Sequence, residues 1–153
     1  FTLPEPVIRA TVAVVPGLDG QKMSKSYNNT IELFASPADT RKAIMRIVTD
    51  SKTVAEPKDP ATCKVFALYK LFASEPECAD MAARYRAGGL GYGEVKQALY
   101  EHFWTYFEPF RQRRAQYQNN PELVEQILQR GAARARQELR KTLQAARRAV
   151  GLA

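Results

Sequence analysis

Two lysines, separated by a methionine and a serine, stand in a polar stretch of this 153-residue sequence. The run is Lys22-Met23-Ser24-Lys25-Ser26, and it follows the turn signal Pro16-Gly17. Two ammonium groups in a loop can neutralise the negative charge that develops on a triphosphate, while serine hydroxyls and loop amides donate hydrogen bonds to its oxygens. Pyrophosphate is the leaving group that suits such a clamp.

The segments around this run indicate how it is held. Residues 7–15 are rich in β-branched side chains and end before Pro16, which predicts a buried strand that runs into a turn. From Pro16 to Asn29 the sequence is polar and without periodicity, which predicts a mobile surface loop that contains no regular element. A lysine and a serine in such a loop are more often simply solvated. Five consecutive matches to one motif after a strand favour the phosphate-binding interpretation.

The remainder of the sequence predicts helices. A serine, aspartate or asparagine before a proline marks the start of a helix, and apolar side chains at spacings of three and four mark its buried face. The predicted starts are Ser36-Pro37, Asp59-Pro60, Pro76, Glu94 and Asn120-Pro121. The glycine-rich residues 88–93 predict a turn. The fold class is therefore mainly α, a helical bundle preceded by one strand and the loop.

The excess positive charge is confined to the last third of the chain. The net charge is +7, and residues 111–153 contain ten of the 23 basic residues but three of the 16 acidic ones. Clustered Lys and Arg gain affinity for polyanions because binding releases counterions from the phosphates. We predict that residues 111–148 bind RNA, with Arg134, Arg140 and Arg147 among the contacts. The alternative is a solvated helix face that keeps the protein in solution.

The lysine and serine run is the second signature, KMSKS, of the class I aminoacyl-tRNA synthetases, and the sequence resembles that class. Its flanks, residues 16–21 and 27–31, resemble the synthetases for aromatic amino acids. Further segments, which together reach along nearly the whole chain, resemble the tryptophanyl-tRNA synthetases. They are Val48-Thr49-Asp50-Ser51, Gly91-Tyr92-Gly93 with Lys96 and Leu99, Gly131-Ala132-Ala133 with Ala135, and Ala149-Val150-Gly151-Leu152. The tyrosyl-tRNA synthetases are the nearest competing family.

The resemblance implies a tryptophan-tRNA ligase that works in two steps. ATP with Mg²⁺ and tryptophan form tryptophanyl-adenylate and pyrophosphate, and the acyl group then passes to tRNA(Trp). Lys22 and Lys25 would be catalytic, and the whole run from Lys22 to Ser26 would contact ATP, with Met23 near the adenine. Residues 1–35 would be the last part of a Rossmann-like nucleotide-binding domain, and residues 36–153 the helical anticodon-binding domain. The full-length enzyme would be a homodimer.

One signature of these synthetases is missing from the sequence. A His-x-Gly-His or His-x-Gly-Asn sequence does not occur, and the sole histidine, His102, lies in an apparent helix. The resemblance therefore implies that this chain is part of a longer enzyme and makes no adenylate by itself. Two alternatives from other classes are a non-catalytic RNA-binding module that keeps the loop as a relic, and a helical protein that binds an acidic partner. Neither alternative requires a pyrophosphate clamp.

The amino-acid composition limits where the protein can be located and whether it can hold a zinc ion. No apolar run approaches the roughly 20 residues that a membrane-spanning helix needs, and the first residues do not read as a secretion signal. Two cysteines, Cys63 and Cys78, and one histidine cannot supply a four-ligand zinc site. We expect a cytoplasmic protein with free thiols, no resident metal and no membrane contact.

The aromatic cluster around His102 has two interpretations. No carboxylate is recognisably paired with His102 in the sequence, so we interpret it as a residue of a helix surface or core edge. Aromatic rings beside it could stack on unpaired anticodon bases, but their helical spacing favours a place in the core. These rings belong to Phe103, Trp104, Tyr106, Phe107 and Phe110.

Overall fold

A computed structural model describes residues 3–8 and 14–152 of the chain. Within these residues the chain forms five α-helices and no strand. The helices are α1 (Pro37–Met45), α2 (Lys64–Tyr69), α3 (Glu75–Ala87), α4 (Tyr92–Gln118) and α5 (Pro121–Ala149). The mainly helical fold class is confirmed. Residues 9–13 of the predicted strand lie outside the described residues, and nearby an isolated antiparallel bridge joins Pro16 to Lys22.

Three helices begin behind a polar cap, two of them at the predicted residues and the third close to its predicted start. The Ser36 hydroxyl accepts a hydrogen bond from the Asp39 amide at 3.1 Å before α1. Ser74 and Glu77 form a reciprocal capping box before α3, which starts one residue ahead of the predicted Pro76. The Asn120 side chain accepts from the Leu123 amide at 3.2 Å before α5. Each cap satisfies a backbone donor that the first turn of a helix leaves without a partner.

Two predicted helix starts and the prediction for the loop need correction. Asp59-Pro60 opens a turn, closed by a bond from the Ala61 amide to the Asp59 carboxylate, and α2 begins only at Lys64. The long helix α4 begins at Tyr92, inside the predicted glycine turn. The Gly91 amide, just before the helix, donates to the Glu94 carboxylate at 3.3 Å. The loop predicted to lack regular structure contains one turn of 3₁₀ helix, Lys25–Tyr27.

The chain divides into two compact units, residues 1–108 and 109–153. The hydrophobic core lies in the first unit, where α1 to α4 each contribute at least one side chain that is buried from solvent. Burying one such side chain fully contributes about 1.5–3 kcal/mol relative to leaving it exposed. The core consists of Ile31, Ile44, Ile47, Val65, Phe66, Leu68, Tyr69, Met81, Tyr85, Leu90, Val95, Leu99 and Phe103.

In the second unit, α5 is strongly amphipathic but has no fully buried residue. Leu123 and Val124 are half-buried near its start, whereas Leu128 and Leu139 are 61% and 64% exposed. The sequence pattern predicts the apolar stripe correctly. No described residue of the stripe is fully buried, because the period of a helix specifies which side chains share a face and leaves open what covers that face.

Candidate functional site

Backbone hydrogen bonds attach the base of the Lys22–Ser26 loop to neighbouring segments of the first unit. The Leu18 amide donates to the Asn29 carbonyl at 2.9 Å and so closes the loop at its two ends. The Val48 amide, in the segment after α1, donates to the Leu18 carbonyl at 2.9 Å. The Met23 amide donates to the Val15 carbonyl at 2.8 Å. The loop is therefore attached at several points, although the sequence alone predicts a mobile segment.

The charged groups of the loop face solvent. Lys22, Lys25 and Ser26 are exposed, and Met23 and Ser24 are half-buried. The hydroxyls of Ser24 and Ser26 lie 2.8 Å apart and form a hydrogen bond. Two accessible ammonium groups and a pair of hydroxyls on one short segment can contact the oxygens of a polyphosphate.

Met23 anchors this segment to the helices. Its side chain packs against the hydrophobic core and borders an apolar cavity of about 130 Å³. The same cavity is lined by residues of α2 and α4, including Leu68, Leu99 and Phe103. The resemblance implies that Met23 lies near the adenine of ATP. In the structure its side chain serves to dock the loop between the two lysines onto the core.

Two residues that sequence reasoning missed, Asn29 and Asp19, organise the loop from inside. Asn29 is 2% exposed, and its side chain bonds to Asp19 and to the backbone of Lys22 and Ser24. In the sequence Asn29 is indistinguishable from the exposed Asn28 beside it. The one available signal is Gly17, because a β-carbon there would overlap the Asn29 side chain.

Two of the segments that carry the family resemblance contact each other. The Tyr92 hydroxyl donates to Asp50 Oδ1 at 2.7 Å, and this bond, which stabilises the carboxylate, holds the pKa of Asp50 below its usual range. Burial and the same bond raise the pKa of Tyr92. Both residues border a 440 Å³ groove, which Asp19 and Gly20 of the loop also line. Tyr92, to which the sequence assigns no role, therefore links the turn before α4 to the segment beside the loop.

His102 has a carboxylate partner, contrary to the sequence interpretation. Its Nε2 atom lies 3.1 Å from Glu77 Oε1, and its Nδ1 atom lies 3.0 Å from the Ala98 carbonyl. Glu77 also accepts two hydrogen bonds from Ser74, and these, with the smaller effect of His102, lower the pKa of Glu77 to about 2. A ring contact with Tyr69 of α2 places His102 at the core edge, as predicted, and the contact with Glu77 links α3 to α4.

The three arginines proposed for RNA binding lie on α5 and are exposed. The side chain of none of them forms an ion pair or hydrogen bond with another residue in the described part of the chain. Successive residues of an α-helix turn by about 100°, so Arg140 and Arg147 share one edge of α5, whereas Arg134 lies about 120° away, on the edge that it shares with Lys141. The predicted basic surface therefore has two edges.

The described residues contain no cluster of three or more His, Cys, Asp or Glu side chains that could hold a metal ion. They also contain no helix with the length and apolar character needed to cross a membrane. The first unit contains a short segment with two exposed lysines and two serine hydroxyls, bonded at its base to the helical core. Such an arrangement has the charge and the hydrogen-bond donors that a phosphorylated ligand requires.

Comparison with known proteins decides the family. Residues 1–108 match the family described as tRNA synthetases class I (W and Y). The chain belongs to this family. Two curated relatives are tryptophan-tRNA ligases: that of Rhodopirellula baltica is 49% identical over 99% of this chain, and that of Bordetella parapertussis is 48% identical over 99%. The matched region is 48% of the first relative and 34% of the second.

The fold of this chain is also similar to that of a solved structure. The crystal structure of tryptophanyl-tRNA synthetase from Campylobacter jejuni, complexed with ADP and tryptophan, matches with a TM-score of 0.87 and 41% identity. The match covers 99% of this chain and 48% of that one. The synthetase chain therefore spans about half the length of these relatives, or less.

Proposed function

We propose that this chain supplies the ATP-binding loop and the tRNA-binding helices of a tryptophan-tRNA ligase. The observation that carries the proposal is the exposure of Lys22 and Lys25 on a loop whose base is bonded to the helical core. The relatives' names favour tryptophan over tyrosine as the amino acid, although the family includes both kinds of enzyme. The activity belongs to a protein longer than this chain, since the first class I signature does not occur in the sequence.

The proposed mechanism assigns charge stabilisation to the loop. In the first step a carboxylate oxygen of tryptophan attacks the α-phosphorus of ATP, and the bond to the pyrophosphate oxygen breaks. The ammonium groups of Lys22 and Lys25, with Ser24 and Ser26 as hydrogen-bond donors, stabilise the charge that accumulates on the leaving group. Magnesium enters as part of the nucleotide substrate. In the second step a hydroxyl of the terminal tRNA ribose attacks the acyl carbon and AMP leaves.

The remaining partners follow from the same proposal. The basic edges of α5 contact phosphates of tRNA(Trp), which gives affinity and orientation without reading bases. The full-length ligase acts as a homodimer in the cytoplasm. In the proposed division of the chain, residues 1–35 belong to the nucleotide-binding domain and residues 36–153 to the anticodon-binding domain.

Pyrophosphate exchange by the full-length enzyme tests the role of the loop. We expect Lys25→Ala to lower tryptophan-dependent exchange at least tenfold, because removal of one donor to transition-state charge costs about 2–4 kcal/mol. Tryptophan affinity, measured by equilibrium dialysis, should change less than twofold. Lys42→Ala, which removes an exposed lysine from α1, is the matched control. A wild-type exchange rate for the Lys25 variant would contradict the clamp.

A further inference from the structure

Asn29 is a buried polar residue at the end of an otherwise accessible loop. It is 2% exposed, whereas Tyr27 is 63% exposed and Asn28 is also exposed. A buried amide is costly unless its donors and its acceptor find partners. The position of Asn29 therefore depends on the groups that surround it.

The Asn29 side chain bonds to three groups of the loop. Its Oδ1 atom accepts from the Ser24 amide at 2.8 Å. Its Nδ2 atom donates to Asp19 Oδ1 at 2.8 Å and to the Lys22 carbonyl at 3.2 Å. Both amide hydrogens of the side chain are thus used. One planar amide group therefore contacts a backbone amide, a backbone carbonyl and a carboxylate, all within six residues of the loop.

These bonds determine the path of the chain at both lysines. The carbonyl held by Asn29 belongs to Lys22, and the amide held by Asn29 belongs to the residue immediately before Lys25. Asp19 connects Asn29 to a further backbone group, because the carboxylate oxygen that accepts from Asn29 also accepts from the Gln21 amide at 3.0 Å. Movement of the Asn29 amide would therefore displace Lys22 and Lys25 relative to each other.

Asparagine is the side chain that this site requires. Gly17 lies so close that an added β-carbon would meet the Asn29 amide group, so a longer side chain such as glutamine would not fit without displacement. Aspartate has the same shape but no donors. It would leave the Lys22 carbonyl without its partner and would face the carboxylate of Asp19.

We propose that Asn29 is a positioning residue that sets the spacing of Lys22 and Lys25 for pyrophosphate release. It acts through the backbone of Lys22 and Ser24 and through Asp19, and it contacts no substrate. The inference rests on the proposed function of the loop. It adds that the clamp is pre-organised by one buried amide, so that the lysines need little rearrangement when ATP arrives.

The test uses the full-length enzyme and the isosteric change Asn29→Asp. The matched control is Asn28→Asp, which adds the same charge one residue away at an exposed position that makes no side-chain bond among the described residues. We expect the kcat of pyrophosphate exchange to be at least tenfold lower for Asn29→Asp than for the control, with the KM for tryptophan within twofold. Equal kcat values for the two variants would overturn the proposal.

A second variant separates positioning from a general loss of structure. The double variant combines Asp19→Asn with Asn29→Asp and so exchanges donor and acceptor. If the side chain introduced at position 19 turns its amide nitrogen toward position 29, it can donate to the carboxylate introduced there, in place of the bond from the Gln21 amide. We expect it to recover at least threefold in kcat over Asn29→Asp. No recovery, with both proteins folded by thermal unfolding, would overturn the proposal.

Two further variants, Asp19→Ala and Lys25→Ala, cover the remaining outcomes. If Asn29→Asp does not fold, Asp19→Ala replaces it, because Asp19 is exposed and its loss removes one bond of Asn29. A kcat for Asp19→Ala within 1.5-fold of the wild type would overturn the proposal, and a larger decrease would support it. Lys25→Ala is measured alongside. Normal exchange in that variant contradicts the function of the loop itself, whereas impaired exchange with a normal Asn29 variant contradicts the positioning role alone.

Discussion

At the scale of single residues, the loop combines accessible charges with a buried polar centre. Lysines that must meet a phosphate have to remain solvated, so they cannot contribute the packing that holds them in place. The structure resolves this conflict by packing the half-buried Met23 against the apolar core and by burying Asn29 among polar groups of the loop. The residues that carry charge and the residues that hold the loop are therefore different ones.

Gly17 provides a test of this close packing. A β-carbon at Gly17 would overlap the Asn29 side chain, so we expect Gly17→Ala to destabilise the folded state by about 1–3 kcal/mol and to lower pyrophosphate exchange. The measurements are the thermal unfolding midpoint and the exchange rate of the full-length enzyme. Gly93→Ala is the control, because a β-carbon there meets no atom within 4 Å. Identical midpoints for the Gly17 variant and the wild type would show that the contact is loose.

At the scale of elements, the sequence predicted correctly those features that depend on residues close together in the chain. The caps at Ser36 and Asn120 depend on a side chain and an amide three residues away, and both are confirmed. Asp59-Pro60 carries the same signal but opens a turn, because the apolar stripe of α2 begins only at Val65. Buried Asn29 could not be predicted, since its partners depend on the folded path of the loop. The pairing of His102 with Glu77, 25 residues apart, is likewise tertiary.

The capping box of α3 predicts a pH effect on stability. The pKa of Glu77 is about 2 in the folded protein, below its ordinary value of 4.5, chiefly because Ser74 donates to the carboxylate. Since the folded state binds this proton less readily than the unfolded state, Glu77 contributes stability above about pH 4.5, and that contribution is lost as the pH falls toward 2. Glu77→Gln should therefore reduce the dependence of stability on pH in this window.

Urea unfolding midpoints of the variants, measured between pH 2.5 and pH 5 in about half-unit steps, check this prediction. Glu75→Gln is the matched control, since Glu75 is in the same helical turn, is exposed and has a side chain that makes no bond among the described residues. The Glu77 variant should be less stable than the control at pH 5 and approach it at pH 2.5. Parallel curves for the two variants would exclude a special role for the Glu77 carboxylate.

At the scale of the whole molecule, charge and hydrophobicity are distributed unequally. The chain up to Phe110 has balanced charge and holds the entire described core, whereas the residues beyond carry the net +7 and no fully buried side chain on α5. The basic character of the second part was evident from the sequence. The exposure of its apolar stripe was not, because amphipathic periodicity is the same whether or not the apolar face has a partner.

The basic part of the chain should bind tRNA in a salt-dependent manner. Each phosphate that is neutralised releases counterions and steepens the dependence of affinity on salt, by about 0.7–0.9 in the logarithmic slope. Replacing Arg134, Arg140 and Arg147 together with glutamine in the full-length enzyme should lower the slope by about two to three for that reason. Stability should remain nearly unchanged, because exposed charges contribute little to it. Filter binding of tRNA at several salt concentrations measures the slope.

Matched variants identify which edge of α5 meets the RNA. Arg140→Gln/Arg147→Gln and Arg134→Gln/Lys141→Gln each remove two charges from one edge, so a single-edge contact changes the slope in one of them, whereas a contact across the helix changes both equally. Lys42, Arg46 and Arg86, all exposed in the first unit, form the control triple and should leave the slope unchanged when replaced with glutamine. If the control lowers the slope as much as the α5 triple does, affinity depends on total charge and α5 has no special role as an RNA contact.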